Sequence, residues 1–198
     1  MPRLEEVQFY LHGLWMLIKG QSDGFKWLDF SQRGFWRSWW ALAYCLPPMA
    51  LNWAGVRLAY LAAMPEGTRA GAGYIGKLAV LDAMNWIVCA VVLALVMLAA
   101  GFSARIAPLI TAVNWLAVPV QWAMTPVSLI QLVTPENPDL YLTALLPFLL
   151  LSLAAHFLVM RRFADNKVLP TAAFLLAMIV ASLWTSITLA DLLDIQVS

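Results

Sequence analysis

Arg57 and Asp82 are a cation and an acid set within apolar stretches of a 198-residue chain that is 63% hydrophobic and 12% charged. Counted from the loop between those stretches, each lies roughly 10 Å inside, or about two helical turns. A lone charge at that depth is costly, and adjacent antiparallel helices can pair the two. Two chemistries follow. One is a structural salt bridge that fixes helix register; the other is a proton or cation site at Asp82, whose state depends on whether Arg57 stays engaged.

Asparagine precedes tryptophan in Asn52-Trp53, Asn85-Trp86 and Asn114-Trp115. The flanking residues do not align, so the dipeptide marks no internal duplication. Buried asparagines seek cross-helix hydrogen bonds, each worth about 0.6 to 2 kcal/mol in hydrocarbon. Thr111, Asn114, Gln121, Thr125 and Ser128 then recur on one helical face, interrupted by Pro108, Pro119 and Pro126. On the preceding stretch Asp82, Asn85 and Cys89 share a face, and Ser182, Thr185 and Ser186 cluster near the end of the chain. These polar residues either line a solute path, as in transporters with broken helices, or act as packing contacts between helices.

Catalytic signals are weak. Ser152 and His156 are one turn apart, but no acid orients the imidazole and no oxyanion donors are evident. Gly71, Gly73 and Gly76 spell GxGxxG without the preceding strand a dinucleotide site requires. His156 is the one histidine within an apolar stretch, which excludes a bis-histidine haem held by this chain alone, and no His, Cys or Asp cluster has metal-ligand spacing. Neither a cofactor nor enzymatic activity is expected. Cys45 and Cys89 lie in apolar runs and read as small hydrophobes.

The charged fraction is far below the globular norm of about 25%, so lipid is the expected solvent. With a net charge of +1 and no basic tract, nucleic acid is not an expected partner. The expected architecture is all-α: a polytopic membrane bundle with five spans over 36–63, 75–100, 106–129, 140–160 and 168–189, each near the length of a bilayer-crossing helix. Two domains are expected, a cytoplasmic or interfacial segment over 1–35 and the five-helix bundle over 36–198. Arg3, Lys19, Lys26, Arg33, Arg37, Arg105, Arg161, Arg162 and Lys167 fall on one side of this arrangement. Arg57, Arg69, Lys77, Glu136, Asp139, Asp191 and Asp194 fall on the other. This asymmetry puts the N-terminus in the cytoplasm and the C-terminus outside. Glu5 and Glu6 stand where a cleavable leader would be basic, so the N-terminus is expected to be retained.

Ahead of the spans, Leu4, Val7, Leu11, Leu14 and Ile18 recur at helical intervals, the pattern of an amphipathic helix lying on the membrane surface. Phe25, Trp27, Phe30, Phe35, Trp36, Trp39 and Trp40 form an expected aromatic belt at headgroup depth, with Lys26, Arg33 and Arg37 reaching the phosphates. The same segment would also serve as a contact surface for a protein partner.

The run HGLWMLIKGQSDGFKWLDFSQRGFWRSWWALAY, His12 to Tyr44, is similar to the segment leading into the membrane in bacterial members of the Yip (Ypt-interacting protein) domain family. The layout of amphipathic helix, five closely spaced spans and short exoplasmic tail resembles that family over most of the chain. The resemblance implies a membrane-organising or trafficking module without catalysis, in the bacterial inner membrane. The Asp-Leu-Tyr-Gly-Pro tract of eukaryotic members is missing, so binding of small GTPases is not implied. The leading expectation is a non-enzymatic module that recruits or stabilises protein partners, or copies of itself, and organises the local bilayer. The alternatives are a small-solute or ion-coupled transporter acting as an oligomer, with Asp82 as coupling group, and an accessory subunit of a larger membrane enzyme.

Overall fold

The computed structural model describes residues 2–195, and every regular element among them is helical. Residue 1 of the expected N-terminal segment and 196–198 of the expected bundle lie outside the described residues. The order is α1 (Leu4–Ile18), a 3-10 turn (Ser22–Trp27), α2 (Gln32–Ser38), α3 (Ala41–Ala63), α4 (Ala72–Ala99), a second 3-10 turn (Ser103–Arg105), α5 (Ile106–Ala123), α6 (Thr125–Val133), α7 (Pro138–Phe163) and α8 (Val168–Leu192). Four helical segments are long and apolar enough to cross a membrane: Ala72–Ala99, Ser103–Ala123, Pro138–Phe163 and Val168–Leu192. The chain is an integral membrane helical protein.

The expected first span is not among those four. Its helix α3 has the length, but Tyr44, Pro47, Pro48, Asn52, Trp53, Arg57 and Tyr60 dilute its apolar character. Pro48 cannot donate to the Tyr44 carbonyl, and that carbonyl instead accepts Trp122 Nε1 from α5 at 3.1 Å. The expected third span is also divided. The helix continues past Pro119, stops at Met124 and resumes as α6 with Pro126 in its first turn, where a missing N–H is tolerated.

The N-terminal segment departs most from expectation. Helix α1 forms, but its apolar face packs on α5 and α7 rather than facing lipid. Val7, Tyr10, Leu14 and Leu17 are buried, while Leu4 at its start is 70% exposed. Tyr10 meets the Trp115 ring at 4.9 Å, and Arg162 on α7 donates to the Leu17 carbonyl at 3.2 Å. Arg37 on α2 pairs with Glu6. The Glu6 carboxyl also accepts the Arg3 backbone N–H at 3.0 Å, and these donors hold it below the usual glutamate range, the backbone bond foremost.

Basic segments that are distant in sequence converge on one end of the bundle. Arg105 reaches the Phe163 carbonyl at 2.8 Å and Asp165 at 2.5 Å, and Phe25 meets Phe163 edge to face at 5.1 Å. At the other end of the α4/α8 pair, Lys77 donates to the Asp194 carbonyl at 3.4 Å.

Close backbone approach joins α1 to the turn that follows it. A Cβ on Gly24 would sit 2.4 Å from the Gly13 carbonyl oxygen, so only glycine allows the contact. Gly24→Val should therefore cost about 1–3 kcal/mol through forced separation of these segments. Gly73→Ala, in open space on α4, should be neutral or mildly stabilising. Thermal unfolding followed by tryptophan fluorescence in a mild detergent checks this, and equal effects at the two positions would contradict the packing.

Candidate functional site

A cavity of about 560 Å³ lies among α4, α5, α7 and α8, with Met49 of α3 at its edge. Helix α4 contributes Asp82, Asn85, Trp86 and Cys89, placed on one face by the three- and four-residue spacing of an α-helix. Helix α5 contributes Asn114 and Gln121, α7 contributes Ser152 and His156, and α8 contributes Ser182. The remaining wall is mostly aliphatic, including Ala90, Leu93, Ile110 and Leu175.

Most of these polar groups are tied to one another. Trp53 Nε1 donates to Asp82 Oδ2 at 2.7 Å, and Asn85 Nδ2 donates to Ser182 Oγ at 3.2 Å. Cys89 Sγ lies 3.6 Å from Asn85 Oδ1. Trp86 Nε1 donates to Asn114 Oδ1 at 2.9 Å, and Asn114 Nδ2 donates to Ser38 Oγ at 2.9 Å. His156 Nδ1 meets the Ser152 carbonyl at 2.8 Å. A carbonyl only accepts, so this nitrogen carries a proton.

The expected ion pair does not form. Arg57 Nε donates to the Ala70 carbonyl at 2.5 Å, and among the described residues no cation pairs with Asp82. The reason is depth. Helix α4 begins at Ala72, three residues before the expected Ile75, so Asp82 lies ten residues in. Trp53 lies ten residues from the end of α3 at Ala63, whereas Arg57 lies only six away. The deeper tryptophan thus meets the carboxylate, and the loop carbonyl meets the guanidinium.

The expected polar stripe is split in the same way. Asn114 and Gln121 reach the cavity, but Thr111 Oγ1 returns to the Ala107 carbonyl at 2.9 Å and Ser128 Oγ to the Met124 carbonyl at 3.4 Å. Thr125 and Ser128 belong to α6, beyond the break at Met124, and α6 packs on α3. Asn52 is half-buried on α3 and does not line the cavity. These residues do not form one continuous path.

The aromatic segment divides into inward and outward parts. Phe25 and Phe30 pack on Phe163, and Phe35 packs against Trp36 and Trp39. Trp27 stacks on Phe9 and meets His12. Trp36, at 63% exposure, and Trp40 face outward, as does Arg33, whereas Arg37 is held by Glu6. Ser38 is the contact that sequence reasoning missed. It reads as one more polar residue in an aromatic run, and nothing local signals that it docks on Asn114.

Among the described residues, no three His, Cys, Asp or Glu side chains are grouped to hold a metal ion. Comparison with known protein families, curated proteins and solved structures finds no match to the chain.

The revised pairing has a direct consequence. Exchanging the charges in the double variant Arg57→Asp, Asp82→Arg should not restore stability lost in Asp82→Arg. Trp53→Phe, which removes the indole donor, should cost about 1–3 kcal/mol. Thermal midpoints in detergent test both, and recovery on charge exchange would contradict the geometry.

Proposed function

We propose that this chain is a non-enzymatic integral membrane protein that binds a small solute in the chamber between α4, α5, α7 and α8. The observation that carries this reading is the cavity of about 560 Å³ on whose wall a carboxylate, two asparagines and a glutamine meet an otherwise apolar lining. That volume lies within the range of small-molecule sites, about 300–1,000 Å³, and sparse polar groups on an apolar wall are their usual make-up. An ionisable residue between membrane helices is by default a functional one.

The same proposal includes a topology. Helix α3, 23 residues long, or about 34 Å at 1.5 Å per residue, packs against α5 and α6 and serves as a fifth membrane-embedded helix. The N-terminus lies on the cytoplasmic side of a bacterial inner membrane and the C-terminus outside. Support comes from the convergence of Arg37, Arg105 and Arg162 with their partners at one end of the bundle.

A second reading, in line with the Yip-like layout, is a membrane-organising role toward protein partners or a second copy. The outward-facing Trp15, Trp36 and Trp40 favour it, although the rest of the segment over 1–35 is bound to the bundle and is not a free arm.

The native cysteines test the chamber. Cys89 lines it, whereas Cys45 is fully buried. A small aminoethyl methanethiosulfonate reagent should modify Cys89 and spare Cys45, as read by peptide mass spectrometry of the folded protein. Ala117→Phe, which fills the wall, should slow Cys89 modification by about tenfold or more, a difference of about 1.4 kcal/mol in access. An unreactive Cys89, or equal modification of both thiols, would reject the chamber as a binding site.

A further inference from the structure

We propose that the chamber takes an amphipathic cation, an alkylammonium-type molecule whose charged head sits at Asp82 and whose elongated apolar body lies along α4 and α8, entering sideways from the lipid. The inference rests on the solute-binding reading above and names its ligand class.

Charge sets the class. Asp82 is the one acidic side chain on the chamber wall, and the wall holds no lysine or arginine. Two basic residues on the flanking helices are turned elsewhere, Arg57 of α3 to the Ala70 carbonyl and Lys77 of α4 to the Asp194 carbonyl. The other titratable groups on the wall are Cys89 and His156, and the imidazole is turned to the Ser152 carbonyl through Nδ1. The Trp53 indole occupies Oδ2 of Asp82, and Oδ1 has no partner among the described residues. An anion placed here would meet an acidic side chain and no basic one, while a cation supplies Asp82 with a counter-charge in a medium where charge pairing is strong. Trp86, one turn along the same face, adds an aromatic ring beside the carboxylate, a combination suited to substituted ammonium groups.

Shape sets the remainder. From Asp82 to Leu93, both on the wall, α4 runs eleven residues, or about 16 Å. Beyond Cys89 that length is lined by Ala90, Leu93, Ile110 and Leu175, which suits an extended hydrocarbon rather than a compact polar solute. Leu149 of α7 and Leu183 of α8 line the chamber and are also 44% and 59% exposed. The mouth therefore opens between membrane-crossing helices toward lipid, where an amphiphile would already be dissolved.

The full chain in lipid nanodiscs provides the test. Decyltrimethylammonium, decanol and decanoate, each below its micellar concentration, are compared for protection of Cys89 from aminoethyl methanethiosulfonate. The ammonium should protect, with decanol and decanoate at least tenfold weaker. Asp82→Asn should weaken ammonium protection at least tenfold, and Asp82→Glu, which keeps the charge, should retain the preference for the cation. Equal protection by decanol, undiminished ammonium protection in Asp82→Asn, or no protection by any probe at a reactive Cys89 would each overturn the ligand class while leaving the chamber in place. A Cys89 that never reacts would instead overturn the solute-binding reading itself. If Asp82→Asn fails to fold, the comparison of Asp82→Glu with the three probes on the native chain still decides.

Discussion

Hydrocarbon offers a buried asparagine no hydrogen-bond partner, so Asn114, 2% exposed in the middle of α5, must find its partners within the protein. Trp86 Nε1 donates to its carbonyl oxygen, its amide donates to Ser38 Oγ, and Ser38 Oγ donates to the Phe35 carbonyl at 2.7 Å. One relay thus joins α4, α5 and α2, and bonds in such chains polarise one another. It places the end of α2 against α5 eight residues past Ile106, or about 12 Å along the helix. The start of α3 and the position of the whole N-terminal segment follow from that placement. It also fixes the Trp86 and Asn114 side chains that form the chamber wall.

Proline supplies the second constraint. In α3 the Tyr44 carbonyl, freed by Pro48, is recaptured by Trp122, which holds α3 to α5 where its own ladder is interrupted. Ahead of Pro126 the chain breaks at Met124, and α6 packs on α3 with Ser128 and Gln131 close to Gly55. The bundle thereby separates into a tight α3/α6 pair and a tight α4/α8 pair. Helix α7, with few buried residues of its own, closes the space between them loosely. The cavity is what that arrangement leaves open, and its polar groups come from helices whose register is already fixed elsewhere.

Much of this was legible in the sequence. Apolar runs and their Gly, Pro and charged punctuation located α4, α5, α7 and α8, because hydropathy reports directly on what a helix in lipid must be. Helical spacing put Asp82, Asn85 and Cys89 on one face, and all three line the cavity. Other features depended on lengths that periodicity does not fix. A three-residue difference in the start of α4 was enough to give Asp82 to Trp53 instead of Arg57. An amphipathic pattern states that α1 has an apolar face but not whether lipid or protein covers it, and here α5 and α7 do. Ser38 left no sequence signal, since its role comes from a contact 76 residues away.

The central claim is that the N-terminal segment is an integral part of the bundle, locked to it through Asn114. Backbone hydrogen exchange in nanodiscs, compared between the native chain and Asn114→Leu, tests it most directly. The account predicts that amides of α2 and the adjoining turn are protected in the native chain. In the variant they should exchange about tenfold or more faster, the scale of one lost buried hydrogen bond, while α4 and α8 keep their protection. Rapid exchange of α2 already in the native chain, or unchanged protection in Asn114→Leu, would contradict it.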